Sequence, residues 1–289
     1  MGKQQPAAVF LTTRTTGFPV HRLQNMVLQS IDTYFQHRTA PVPTANRLRH
    51  CKLVSHRGEH DNCDVFENTM PAFERACRDG VWGIELDVRW TRDLKPVVFH
   101  DPDTRRMFGK NYRIGQLRLQ ELTHLFPLVP TLADVVERFG RKVHLMLEIK
   151  PETYPEPGYQ CRLLKTQLTA LVPGRHYHLI SLKPAMFRYL RGFPSQICLP
   201  IAELNLRTIS NIAIREKYGG ILGHYLLINR HYRNRHGRQG QKIGTGFVAS
   251  PNCLFRELNR GVEWIFSNNA GTLQRIINNY LQANGKRSY

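Results

Sequence analysis

Three observations make this chain an α/β fold of the TIM (β/α)8-barrel type with an N-terminal helical appendage. First, from Cys51 onward, short apolar and β-branched runs alternate with stretches of helical period. That is the pattern of a parallel sheet with crossover helices. Second, several runs keep an apolar body and end in polar residues, as in Leu53-Val54-Ser55-His56 and Leu145-Met146-Leu147-Glu148-Ile149-Lys150. In a (β/α)8 barrel the carboxyl ends of the strands build the site. Third, no G-x-G-x-x-G opens a helix and no P-loop occurs, which disfavours the alternative, a doubly wound open sheet.

Residues 1–50 read as a basic N-terminal extension. Within it, Pro19 to Arg38 carries Val20, Leu23, Val27, Ile31 and Tyr34 at three- and four-residue steps, with Met26 and Phe35 beside the stripe. This predicts one amphipathic helix, docked across one end of the main domain or lying on a membrane surface. Thr39 to Asn46, with Pro41 and Pro43, predicts an extended linker.

Residues 51–289 form the barrel. Leu53 to His56 is its first strand. A helix follows, capped by Asn68 or Thr69, with Pro71 in its first turn and Gly80 just past its end. Further strands are expected at Ile84–Trp90, Pro96–His100, Val143–Ile149, Tyr177–Leu182, Ile197–Ala202, Ile221–Ile228, Ile243–Val248 and Val262–Ser267. Helical patterns cover Leu117–Leu125, Thr131–Phe139, Tyr159–Leu171 and Leu273–Leu281.

Nine strands are one too many for a simple barrel. The connection Thr91 to Lys95 is too short for a parallel crossover, so its flanking runs should form an antiparallel hairpin, or one should leave the wall. A turn centred on Asp93-Leu94 would set Asp87 opposite His100. The basic run Asn229 to Arg238 lacks an apolar stripe and reads as a solvated loop, or as one over the pocket.

A net charge of +19 favours anionic partners: nucleic acid, phospholipid headgroups or phosphorylated substrates. The single aromatic within the basic run, Tyr232, argues against a nucleic-acid surface. The six cysteines are scattered, without zinc-site or disulfide spacing, which suits a reducing compartment. No apolar run reaches the ~20 residues of a membrane span, and the start lacks a secretory pattern. The expectation is a cytoplasmic protein, with peripheral contact to an anionic membrane as an option.

Glu85 and Asp87 are two residues apart on one strand and share a face. Paired carboxylates in a confined space raise each other's pKa, and a divalent cation resolves the conflict. Glu148 repeats the pattern on another strand as a third oxygen donor. An all-oxygen set favours Mg²⁺ or Ca²⁺ over zinc. His56 and His100 end strands beside this cluster and could supply an acid and a base. Arg57 and Lys150 add fixed positive charge at the same level, which suits a phosphoryl group. Asp101 is expected to orient the strand end or to pair with a basic neighbour.

The order and spacing of these residues resemble the glycerophosphodiester phosphodiesterase family. The match runs through His56-Arg57-Gly58, Glu67-Asn68-Thr69, Ala72-Phe73, Ile84-Glu85-Leu86-Asp87-Val88, Pro96-Val97-Val98, His100-Asp101, Pro130-Thr131-Leu132 and Glu148-Ile149-Lys150. The resemblance implies a TIM barrel that hydrolyses glycerophosphodiesters to sn-glycerol 3-phosphate and an alcohol. It implies a divalent cation on Glu85, Asp87 and Glu148, with acid and base at His56 and His100, and phosphate contacts from Arg57 and Lys150. We favour His56 as the acid and His100 as the base. Where many members carry a Trp-Thr-Val-Asn-like run, this chain has Thr245-Gly246-Phe247-Val248-Ala249, with Phe247 as the candidate pocket aromatic. Two alternatives accompany this reading: lysophospholipase D-like hydrolysis at a membrane surface, and a catalytically dead barrel binding anionic lipid or RNA.

Overall fold

The computed structural model describes residues 33–285. Nine strands form one sheet: β1 (Leu53–His56), β2 (Gly83–Trp90), β3 (Pro96–Val98), β4 (His144–Ile149), β5 (Tyr177–Ser181), β6 (Cys198–Ala202), β7 (Gly220–His224), β8 (Lys242–Gly246) and β9 (Trp264–Ser267). All but β3 run parallel, and pairing of β1 with both β2 and β9 closes an eight-stranded barrel.

The ninth strand fits because β2 outruns its neighbour. Residues 83–85 of β2 pair with β1, which stops at His56. Above that level the same edge of β2 is free, and β3 takes it antiparallel through Val88–Val98, Arg89–Val97 and Trp90–Pro96. The expected hairpin therefore exists, but its register differs by one residue. Asp87 lies opposite Phe99, whose amide donates to the Asp87 carbonyl at 2.9 Å. Leu94 adopts φ +57°, and the Thr91 amide bonds the Lys95 carbonyl. The turn thus has three central residues, Arg92 to Leu94, rather than two, and is centred on Asp93.

The helices are α1 (Ala45–Arg49), α2 (Met70–Asp79), α3 (Arg105–Phe108), α4 (Leu119–Leu125), α5 (Leu132–Phe139), α6 (Pro157–Gln167), α7 (Leu206–Arg215), α8 (Arg230–Gly237), α9 (Pro251–Asn259) and α10 (Ala270–Gly285). Outward strand residues such as Leu53, Ile84, Leu86, Leu145 and Leu147 meet the inner faces of these helices, including Phe73, Ala76, Val135 and Phe139. Each such side chain, fully buried, contributes roughly 2 kcal/mol of transfer free energy. Inside the barrel, Val54, Met146, Ile180, Leu199, Leu222 and Phe266 make a separate apolar layer beneath the strands' carboxyl ends.

Three local expectations need correction. The basic run 229–238 is helical: Asn229 caps α8 by accepting from the Tyr232 amide. Its docking is polar rather than apolar, which is why no stripe announces it. His236 is fully buried between Ser210 and Gln241, at 2.9 and 2.6 Å. Thr69 is the N-cap residue of α2, but its hydroxyl donates to the Phe66 carbonyl instead of capping. Of the amphipathic stretch from Pro19, only residues 33–38 are described; the rest lies outside the described residues. Residues 33–37 are helical. There Tyr34, placed on the stripe, is exposed, while Phe35 docks edge-on against Tyr225 and under Arg256. Residues 39–44 carry no regular secondary structure and lead to α1, whose Leu48 enters the main core.

Candidate active site

Alternation along the strands points His56, Glu85, Asp87 and Glu148 into the barrel above its apolar layer. Register aligns them: His56 is level with Glu85, and Asp87 with Glu148. Glu85, Asp87 and Glu148 are all buried, and one carboxylate oxygen from each lies within 4.8 Å of the other two. Lys150, just past β4, bonds Asp87 Oδ1 at 3.0 Å and Glu148 Oε1 at 2.9 Å.

Arg57 has φ +58°, a conformation costly for a residue with a Cβ. It turns the Arg57 amide onto Glu85 Oε2 at 3.1 Å, while the guanidinium reaches Glu67 at 2.9 Å and pairs with Asp87 at 3.2 Å. The next residue, Gly58, has φ +79°, and a Cβ there would sit 2.7 Å from the Ala72 backbone. Only glycine lets the β1 loop lie so close on α2.

The carboxylates divide by environment. Burial, then the neighbouring Asp87 and Glu148 charges, push Glu85 well above the ordinary carboxylate range. Glu148 is raised by burial and by Asp87, against the pull of Lys150. Asp87 goes the other way. Burial acts to raise it, but Lys150, Arg57 and the Asn68 amide outweigh that and hold it below its usual value. The mutual raising expected for the pair is thus confined to Glu85.

Residues that hold a cation should show carboxylate capacity left over, and they do. Glu85 Oε1 is buried and accepts no hydrogen bond from the described residues. Three hard oxygen donors at this spacing, with neither sulfur nor imidazole in the set, fit a divalent cation of the Mg²⁺ or Ca²⁺ kind.

The two histidines have different partners. His56 Nδ1 lies 2.7 Å from Asn268 Oδ1, and its Nε2 is 3.7 Å from Glu85. Burial and the Arg57 cation push its imidazole down to about 3. His100 Nδ1 lies 2.7 Å from Asp101 Oδ1. The register shift does not remove His100 from the site, because the chain leaves strand geometry after Val98. His100 contributes to the electrostatic field at both Asp87 and Glu148. Its carbonyl is braced by Arg89, at 2.8 and 2.6 Å, and Arg89 in turn pairs with Glu152. The Phe247 ring sits 4.7 Å from the His56 ring and is 44 % exposed, at the mouth of the site.

Three contributions were not assigned from sequence. Asn68, a candidate cap, instead donates to Asp87 Oδ2 at 2.7 Å and accepts from the Asp87 amide at 3.2 Å. Its φ of +58° is a conformation asparagine tolerates better than most residues. Glu67 anchors Arg57. Arg106, from α3, forks onto Glu67 at 2.5 and 3.2 Å and reaches Asp101 at 2.5 Å. Burial would raise Glu67, yet Arg106 and Arg57 bring it down to about 2. The order Glu67-Asn68-Thr69 was the available signal, but nothing in the sequence joined Arg106 to it.

Residues 56–191 match the glycerophosphoryl diester phosphodiesterase family, and that segment contains every clustered residue except Asn268 and Phe247. A glycerophosphodiester phosphodiesterase of Caldanaerobacter subterraneus is 35% identical over 125 residues, 39% of this chain and 51% of the relative. A human lysophospholipase D is 41% identical over 71 residues, 25% of this chain and 22% of the relative. The matched segments thus span about half or less of these relatives' lengths. An Oleispira antarctica phosphodiesterase, solved with the product sn-glycerol-3-phosphate, superimposes with a TM-score of 0.68 at 18% identity. That alignment covers 82% of this chain and 100% of the other, and supports the barrel fold. Over residues 56–191, this chain is similar to the glycerophosphoryl diester phosphodiesterase family.

Proposed function

We propose that this chain hydrolyses glycerophosphodiesters to sn-glycerol 3-phosphate and an alcohol. The observation that carries the reading is the convergence of Glu85, Asp87 and Glu148, buried and within 4.8 Å of one another, beside two histidines and two cations. Glu85, Asp87 and Glu148 would hold one divalent cation, Mg²⁺ or Ca²⁺. When bound, it supplies neutralisation of the charge that develops on the phosphoryl oxygens.

Arg57 and Lys150 bind the non-bridging oxygens and orient the phosphorus. Their own carboxylate contacts hold both head groups in place before substrate arrives. Hydrogen bonding favours the reverse of the acid–base order inferred from sequence. His56 donates an Nδ1–H hydrogen bond to Asn268 Oδ1, and in that neutral tautomer Nε2 is unprotonated and able to accept a proton from the attacking hydroxyl. His100 is held by Asp101 at Nδ1, which orients the ring and leaves Nε2 as the proton donor to the leaving alcohol.

A second reading, hydrolysis of lysophospholipids, is supported by the similarity to the human lysophospholipase D and by the half-exposed Phe247 beside His56. A catalytically dead barrel is disfavoured, because every acid, base and carboxylate position of the motif is filled.

The test is release of glycerol 3-phosphate from glycerophosphocholine, and of lysophosphatidic acid and choline from lysophosphatidylcholine, with and without EDTA. Glu85→Ala, Asp87→Ala and Glu148→Ala should each abolish EDTA-sensitive turnover. His56→Ala and His100→Ala should each cost ~10²–10⁴-fold. Full activity in all three carboxylate variants would sink the proposal.

A further inference from the structure

The wall of the barrel opposite the charged cluster ends in a different chemistry. Ala202 is level with Gly223, and Gly223 with Thr245. Two or three residues beyond that common level, the loops after β6, β7 and β8 carry Leu204, Leu226 and Phe247. They are 85 %, 36 % and 44 % exposed. Neighbouring strands lie ~4.8 Å apart, so the three side chains share one stretch of the rim around the site. A single exposed leucine is ordinary; three large apolar side chains on consecutive loops of one rim form a patch.

The patch is held in place. Tyr225, next to Leu226, is fully buried with its ring edge-on to Phe35 and beneath Arg256. The helices that start on this rim add exposed cations: Arg207 in the first turn of α7 and Arg230 in the first turn of α8. Glu203 is the exposed carboxylate among these loop and first-turn residues. Apolar side chains interleaved with cations suit the boundary between headgroups and acyl chains in an anionic bilayer. A second copy of this chain suits it poorly, since a rim of this charge on a molecule of net charge +19 repels its own image.

We infer that this rim is a docking surface for an anionic lipid bilayer, with Leu204 and Leu226 inserted and Arg207 and Arg230 against the headgroups. The site's mouth then opens towards the membrane. The inference is independent of the catalytic reading, because binding is measured without turnover.

The test is co-sedimentation of the full chain with phosphatidylcholine vesicles, with and without phosphatidylglycerol. The wild type should bind the anionic vesicles. Leu204→Glu/Leu226→Glu should lower the partition coefficient by about tenfold or more, while Leu125→Glu/Leu128→Glu, at exposed positions on α4 and just beyond it, should not. Leu204→Trp is a second probe that needs no loss of binding: its emission should shift to the blue on adding anionic vesicles. Three results overturn the inference: no binding by the wild type; equal binding by both double variants; or a Leu204→Trp emission that vesicles leave unchanged. A wild-type dimer in sedimentation velocity that Leu204→Glu/Leu226→Glu dissociates would reassign the surface to a second copy.

Discussion

The two ends of one barrel use histidine in opposite ways. At the carboxyl end, His56 and His100 face carboxylates and amides, amid groups whose charge is only partly balanced. At the amino end, His144 and His178 close the floor. His144 stacks on Trp82 at 4.3 Å, His178 meets Trp264 edge-on, and the two imidazoles share a 2.7 Å hydrogen bond. His144 Nδ1 contacts the Arg175 carbonyl at 3.0 Å and must donate there. With His144 neutral, its Nε2 is the acceptor and His178 Nδ1 the donor. Burial pushes His144 down to about 3, with His178 and Lys52 adding to it, and His178 down to about 4, with Lys52 adding and Glu263 opposing. The floor refuses protons; the mouth is arranged so that protons can move. Residue type does not separate the two ends; partners do.

Three perturbations would break or sharpen that contrast. The largest effect is expected from Asp87→Ala, which leaves Lys150, Arg57 and Asn68 facing an empty position. Beyond lost turnover, it should cost on the order of 3–5 kcal/mol in urea unfolding, as for a buried pair stripped of one member. A stability loss below ~1 kcal/mol would show that the cations relax into solvent. Next, Asp101→Asn should lower kcat ~10–100-fold with KM little changed, and Arg106→Ala should follow it more weakly, with Arg106→Lys recovering part of the loss. Cation affinity by calorimetry should stay unchanged in both. A matching loss of cation affinity would assign Arg106 to the carboxylate cluster instead.

The third perturbation lies at the floor. Between pH ~6.5 and ~4 the unfolded chain protonates both floor histidines, while the folded one does not. Stability is therefore full above the unfolded pKa and falls as pH drops towards the folded values. Over that window each of the two histidines should contribute a loss of ~3 kcal/mol. Thermal melting of wild type against His178→Leu measures it: the variant's curve should be flatter with pH. Parallel curves would mean that the floor takes up protons while folded.

The site was legible wherever its chemistry is carried by strand ends. Period-two alternation placed Glu85 with Asp87, and the apolar bodies before His56 and Glu148 placed them at one level. The short Thr91–Lys95 link made the hairpin legible, but its register depended on Leu94 adopting a left-handed backbone, which residue type does not announce. Helix α8 escaped because it docks through His236, Gln241 and arginines, and periodicity detects only apolar docking. Asn68 looked like a cap because asparagine suits both a helix N-terminus and a left-handed turn; only the turn brings its amide to Asp87. Arg106 lies 39 residues from Glu67, in an excursion with its own small core of Val97, Phe99, Ile114, Leu122 and Phe126. No local pattern could join the two.

The edge of β2 shared between β1 and β3 has a consequence for motion. The strand is laced on one side to β4 over residues 83–88 and on the other to β1 over 83–85 and then to β3 over 88–90. The backbone under Glu85 and Asp87 can open only when the barrel itself opens. Its amides should exchange with deuterium at the rate of global unfolding, whereas residues 109–113, mostly exposed and bridged by the Asp103–Arg113 pair, should exchange through local opening. Two carboxylates that repel each other are thus carried on backbone with no freedom to let them drift apart.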